Sequence, residues 1–440
     1  ATSGSVRSLK TIRRLAAVAS VSSSRWMTFP PHLSQISAVC GGRLSALWTP
    51  TDSLELYVTA DYTTERENGA PAVSLGINDQ QLFAGLINMT DPECGLPPGP
   101  PVGRDTNGNP NCANETAFIG KHKSGGTFPV KSHLDVWGGA GTLTWEAAEW
   151  LTIKSITAYR EINMESSRDG DHTAFDMWAT RDTFDNWQFS QELQFIGRAF
   201  NDRLKWLLGA YYFEEETANA NPIFPVTGAI VSGGLSDNDS KAVFGQATYD
   251  VTDKLALTAG VRWTEDQKRF TPDQYFAGPP LPAIAAMFGL PPGLALSPAG
   301  VFPIGFRIFP KEQSKSTFSD WTPMVNLSYR WNEKLMTYFT WSEGYKSGGF
   351  DQRFPAPRTN PVTGALVTVP SSFTPETVTS YELGLKTDLF DERMRLNVAA
   401  FYTDYEDLQL VIRETVNPLT FNGGTADILG FEVETTIVPT

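Results

Sequence analysis

The stretch YELGLKTDLFDERMRLNVAAFYTDYEDLQL, residues 381–410, alternates apolar and polar side chains, breaks on a few polar residues, and alternates again. In its second half Leu396, Val398, Ala400 and Tyr402 share one face, while Arg395, Asn397, Ala399 and Thr403 share the other. A period of two belongs to a pleated strand and not to a helix. In the first half Tyr381, Leu383 and Leu385 oppose Glu382, Gly384 and Lys386, and DLFDER between the halves suits a tight connection. The unit is an antiparallel hairpin. Each arm runs to roughly ten residues, whereas strands of soluble sheets usually hold about five or six.

The same alternation returns along the chain. LELYVTADY sets Leu54, Leu56, Val58, Ala60 and Tyr62 against Glu55, Thr59 and Asp61, and RLKWLLGAYY aligns Leu204, Trp206, Leu208, Ala210 and Tyr212. LALTAGVRWTE is the cleanest case: Leu255, Leu257, Ala259, Val261 and Trp263 oppose Thr258, Gly260, Arg262 and Thr264. PMVNLSYR repeats it with Val325, Leu327 and Tyr329, while LMTYFTWSEG and LTIKSITAYR are less regular. The connections alternate too. TPTDS, EAAE, GRAFND, VTDK, WNEK and DLFDER are short, and the links at 66–133, 166–183, 218–237, 271–316 and 347–375 are long. Short turns on one rim and long loops on the other are how outer-membrane barrels are built. A soluble sandwich has no reason to sort its loops this way.

The expected fold class is therefore all-β, a transmembrane antiparallel β-barrel. Its oily rows meet lipid, its Thr, Gly, Arg, Asn and Glu rows line a wet interior, and closure of the sheet satisfies the backbone. Tyr62, Tyr212, Trp263, Tyr329, Trp341 and Tyr402 stand near strand ends, where interfacial girdles form, although cross-strand contacts account for any one of them equally well. No run of 18 or so uncharged apolar residues exists, so a helical span is excluded and a barrel is not. The formal charge of −14 lacks any basic stripe to neutralise phosphates, which argues against nucleic acid as a partner.

Several stretches together resemble the TonB-dependent outer-membrane receptors, specifically their siderophore-receptor-like barrels. They are SQELQFIG (190–197), LALTAGVRWTED (255–266), TWSEGYKSGGF (340–350), the segment 373–410 and NGGTADILGFEVE (422–434). The resemblance covers residues 41–440 and implies a barrel of roughly 22 strands with a plug in its lumen. About thirteen strands are visible here, against the even numbers usual for bacterial barrels. The expected chain is thus a partial barrel without a plug domain or TonB contact segment, and residues 1–40 are left unassigned, as a truncated or out-of-frame beginning. The resemblance further implies a bacterial outer-membrane location, contact with outer-membrane lipid, a bulky cargo with a ferric chelate foremost and an oligosaccharide or aromatic compound second, and coupling to the TonB energy-transducing complex. A passive porin-like channel or adhesin barrel is the alternative.

No enzyme, cofactor or resident metal is expected. The four histidines, His32, His122, His133 and His172, show no catalytic or ligand spacing. DTNGNPN (105–111) carries its Gly and Pro at positions that break a calcium loop, and SRDGDHTAFD (167–176) reads as a solvated loop. Cys94 and Cys112 flank one Pro/Gly/Asn-rich loop and suit a disulfide in an oxidising compartment, with two free thiols the alternative that spacing leaves open. The apolar segment 278–306, broken by Pro and Gly, is expected as an extracellular loop with a short helical turn at AIAAMF, which folds over the mouth or contacts a hydrophobic ligand, with loop-to-loop packing without a ligand as the alternative. In GYKSGGFDQRF the glycines allow a strand to bend at the rim, which leaves Tyr345, Lys346, Gln352 and Arg353 as candidate cargo contacts.

Overall fold

The computed structural model describes residues 15–25, 38–68, 72–75, 77, 82–90, 94, 111–121, 123–297, 300–353, 364–367, 369–414 and 417–438. His32, His122 and residues 105–110 lie outside them. The first strands are β1 (Leu15–Arg25), β2 (Ala38–Thr51), β3 (Leu54–Glu67), β4 (Lys131–Ala148), β5 (Leu151–Asp169), β6 (Trp178–Ala199), β7 (Leu204–Pro225), β8 (Ile230–Asp250) and β9 (Leu255–Pro272). Short pieces β10 (Tyr275–Phe276), β11 (Leu294–Ser297) and β12 (Gly300–Pro303) precede β13 (Ser314–Asn332) and β14 (Leu335–Lys346). Then come β15 (Gly349–Phe350), β16 (Ser372–Phe373), β17 (Glu376–Leu389), β18 (Met394–Glu406), β19 (Gln409–Glu414), β20 (Asn417–Asn422) and β21 (Ala426–Ile437). Two short helices, α1 (Leu82–Asn88) and α2 (Pro282–Met287), lie in the long loops.

One antiparallel sheet carries the fold, in the order β1-β2-β3-β4-β5-β6-β7-β8-β9-β13-β14-β17-β18-β21. Sequence neighbours pair throughout, which is the meander that hairpin repeats dictate. The thirteen strands expected from alternation are β2 to β9 with β13, β14, β17, β18 and β21, and β1 is added from the segment the sequence left unassigned, paired along its length with β2. Among the described residues β1 and β21 each have a wall partner on one side only, so the sheet is open rather than closed.

The register fixes the faces. Val243, Trp263 and Trp321 are lateral partners, as are Trp341, Tyr381, Tyr402 and Leu429. Leu257, Val261, Val325, Leu327, Phe339 and Leu383 share that face and stand exposed in rows. Such continuous apolar surface is what a lipid-facing wall presents. The opposite face carries Thr258, whose hydroxyl meets Thr248 at 2.8 Å, and Asn326, which donates to Thr340 at 2.7 Å. Above the apolar rows an aromatic girdle rings the outer face. Trp137 lies 5.2 Å from Tyr159 and Tyr159 lies 6.4 Å from Trp187, centroid to centroid. Phenols of this girdle turn to carboxylates: Tyr62 donates to Asp135, Tyr212 to Glu214 and Tyr402 to Asp427. Ring in lipid and hydroxyl toward water is the arrangement an interface selects.

The six short turns fall on one rim. Two share a conformation, with three successive residues at positive φ in Phe200-Asn201-Asp202 and in Phe390-Asp391-Glu392. Asn and Asp tolerate the left-handed region better than most residues. On the opposite rim the sequence reading needs two corrections, because the 166–183 link shortens to 170–177 and 218–237 is not a long loop. β7 and β8 continue through it and join at residues 226–229. Consecutive Gly233 and Gly234, at φ of +133° and +153°, let β8 bend where a Cβ would strike the carbonyls of Asn219 and Thr271.

Arginine placed at Ala259, mid-row on the outer face of β9, is expected to cost about 2–4 kcal/mol of membrane-folded stability, and arginine at Thr258 much less. Refolding titrations into lipid vesicles measure both; equal tolerance would reverse the face assignment.

Candidate functional site

The rim opposite the short turns carries the long loops, and these fold on each other before they meet anything else. Ala84 and Leu86 of α1, Ala113, Met177, Val226 and Ile284 of α2 bury one another in a first cluster. Ile230, Phe276, Ala295, Ile308 and Phe309 form a second. The apolar segment 278–306 thus spends much of its oily surface on loop-to-loop packing, and the helical turn expected at AIAAMF is α2. Polar bonds join the same loops: Asn88 donates to Ala113 O at 3.0 Å and accepts from its N–H, and Ile77 N–H donates to Asn114 O at 3.1 Å. Cys94 and Cys112 are joined in this layer, with Cα atoms 5.6 Å apart, and Cys40 is the free cysteine.

The four candidate cargo residues separate into two pairs. Lys346, at the end of β14, sits 3.7 Å from the Glu376 carboxylate, which also accepts Gln409 N–H at 2.9 Å. The Tyr345 hydroxyl is buried beside Asp266 and makes no hydrogen bond of normal geometry. Gln352 and Arg353 lie further along, where the chain reaches the inner side of β6–β8. Gln352 O accepts from the buried Gln274 at 2.9 Å, its side chain donates to Ser236 at 3.4 Å, and Arg353 donates to Asp182 at 3.0 Å and to Asn219 at 3.4 Å. These two residues tie the 347–375 loop to wall strands more than a hundred residues away in sequence. Asp351 anchors it again by accepting Thr420 N–H from β20. The sequence signalled chemistry at these positions but not these partners, since no local pattern encodes such distant contacts.

In the interior, Arg262 lies between the rings of Tyr211 and Phe244, at 5.5 and 5.3 Å from their centroids. Arg160 pairs with Asp61 at 3.0 Å. Charge on the wall is therefore held in place by neighbours. In SRDGDHTAFD the Asp169 and Asp171 carboxylates accept backbone N–H groups of Thr127, Phe128, His172, Met177 and Trp178, as a structured loop requires. His133 lies within β4 and His172 takes a positive φ in that loop.

A family model described as TonB dependent receptor-like, beta-barrel, matches residues 76–437. The chain belongs to this family. Its members transport solutes across the outer membrane as β-barrels and are not enzymes. Among curated relatives, the pesticin receptor of Yersinia pestis is 25% identical over 219 residues, which is 50% of this chain and 26% of that receptor. Among solved structures, the ferric yersiniabactin uptake receptor FyuA from Yersinia pestis superposes with a TM-score of 0.61 at 16% identity, covering 91% of this chain and 49% of that one. The ferric-catecholate import receptor Fiu from E. coli K12, in its closed form, gives 0.61 at 13% identity, covering 97% of this chain and 58% of its own. The chain spans about half the length of the solved receptors it matches, and those likenesses establish its fold.

Two outcomes follow for the rim. Under denaturing conditions without reductant, iodoacetamide is expected to add once to the three cysteines, and three times after reduction; three additions without reductant would show Cys94 and Cys112 to be free thiols. Asp273, in the loop after β9, is pushed up by burial, but Lys311 at 2.9 Å and Arg307 at 2.8 Å outweigh this and hold its carboxyl below the ordinary 3.8. A lowered folded value means the contribution is present above 3.8 and lost as pH falls through the lower value. Amide exchange around Ile308 is therefore expected to accelerate below about pH 4 in the native protein and to lose this step in Asp273→Asn.

Proposed function

We propose that the chain is the barrel portion of a bacterial outer-membrane receptor for energy-coupled uptake of a scarce, bulky solute, with a ferric siderophore as the leading cargo. The observation that carries this reading is the family match across residues 76–437 of a wall whose long-loop rim is tied down over a polar interior. The roles for which the relatives are named, ferric yersiniabactin uptake, ferric-catecholate import and pesticin reception, agree with it. In this account the outer rows lie in membrane lipid, and a TonB-type complex supplies the energy for release. Tyr345, Lys346, Gln352 and Arg353 are kept as cargo-responsive positions, with one change of role. Arg353 and Gln352 act by letting the 347–375 loop go when cargo arrives, because their polar groups are already engaged with the wall.

The passive channel remains the competing reading, and one experiment separates them. Vesicles or receptor-deficient cells carrying the protein are offered ferric catecholate, phenolate and hydroxamate complexes alongside an inert sugar of similar size. The receptor reading expects saturable binding of one ferric class and no sugar flux. Unselective sugar flux with no saturable ferric binding would favour the channel.

A further inference from the structure

The loop layer holds a cavity at the tops of β5, β6 and β7. Asp169, Ala179 and Phe224 are lateral partners at the tops of β5, β6 and β7, on the same face as Tyr159 and Trp187 of the girdle. Trp178, one residue before Ala179 in β6, reaches the same cavity from the other face, so the cavity caps the strand tops. Asp169 lies ten residues beyond Tyr159 along β5, about 33 Å of strand at about 3.3 Å per residue, which at a barrel tilt of about 45° is about 23 Å above the membrane interface. Lipid headgroups do not reach that height.

The cavity encloses about 480 Å³, within the range of small-molecule sites. Its apolar walls are the rings of Phe128, Phe175, Trp178 and Phe224 together with the Pro279–Pro280–Pro282 stretch. The rings are held in place: Phe128 packs on Phe224 at 5.7 Å, and Trp178 stacks on Phe83 at 5.7 Å while lying so close over Gly170 that a Cβ there would collide with it. The polar edge is three aspartates, and among the described residues no lysine, arginine or histidine lines the cavity. Two of them are committed to the fold. Asp169 is nearly fully buried and accepts three backbone N–H groups. Asp171 accepts from Thr173, Met177 and Trp178, and burial pushes its carboxyl up. Asp176 is different, since its exposed carboxylate receives one hydroxyl, that of Thr127, and keeps acceptor capacity facing the cavity.

We infer that this cavity is a binding site for a small organic cation, an ammonium carried on an aromatic or quaternary group, with Asp176 as counter-ion and the four rings as its cage. Rings present their negative faces to a cation, and quaternary ammonium groups are the ligands such cages select. An anionic ferric chelate is disfavoured by the same three carboxylates, so this site is separate from the cargo reading and stands if that reading fails.

Isothermal titration of the protein in detergent micelles with benzyltrimethylammonium, against sodium benzoate, tests it. Saturable binding of the ammonium and none of the benzoate is expected. Asp176→Asn, which preserves the acceptor for Thr127, is expected to weaken binding about tenfold, as is Phe224→Ala, with heat-modifiable gel mobility confirming that both variants fold. Absence of ammonium binding, benzoate binding of equal strength, or unchanged affinity in both variants would overturn the proposal.

Discussion

Hydrocarbon offers backbone amides no hydrogen-bond partner, and each one left unpaired in it costs several kcal/mol. The architecture of this chain follows from that constraint. A ladder runs from β1 to β21 through strictly antiparallel neighbours, and each strand between the two ends pairs on both sides. With the backbone satisfied by the ladder, side chains are free to be sorted by solvent alone. The outer rows are Leu, Val, Ala and Trp, and the inner rows are Thr, Asn and Arg. On the proposed reading the girdle marks the height at which lipid gives way to water, and there the hydroxyls of Tyr62, Tyr212 and Tyr402 donate upward to carboxylates.

Above that height both faces of a strand are wet. The ladder continues there, but alternation has no reason to, and this explains which parts of the fold were legible in the sequence. Residues 255–263 announce a strand because lipid and lumen demand opposite chemistries. Residues 218–225 of β7 and 230–237 of β8 are equally strand, yet ANAN, Pro222, Pro225 and Gly233-Gly234 interrupt the alternation there, and so 218–237 reads as loop. The six short turns were legible from their polar residues. The α1 helix and the β19–β20 ribbon were not, since each is short and owes its form to neighbouring loops rather than to local pattern. The partners of Gln352 and Arg353 were invisible for a related reason: they lie on β6, β7 and β8, and nothing near residue 352 specifies them.

The loop layer follows a different economy of forces from the wall. Its stability comes from buried apolar clusters and from carboxylates that accept backbone N–H groups, as Asp169 and Asp351 do. The wall tolerates variation within a face as long as its polarity is kept. The loops depend on particular pairs, so cargo and ligand specificity can differ greatly among chains that share the wall, in keeping with identities of 13–16% beside TM-scores of 0.61.

The central claim is that one face of each wall strand meets lipid and the other water, and that this sorting stops at the girdle. Spin labels placed singly from Leu255 to Pro272 of β9, in the protein reconstituted into bilayers, measure it directly through collisions with oxygen and with a water-soluble nickel chelate. The account predicts a period of two from Leu255 to Trp263, odd positions oxygen-accessible and even positions nickel-accessible, giving way to nickel access on both faces beyond Glu265. Nickel access at Leu257, Ala259 and Val261 equal to that at their even neighbours would contradict it.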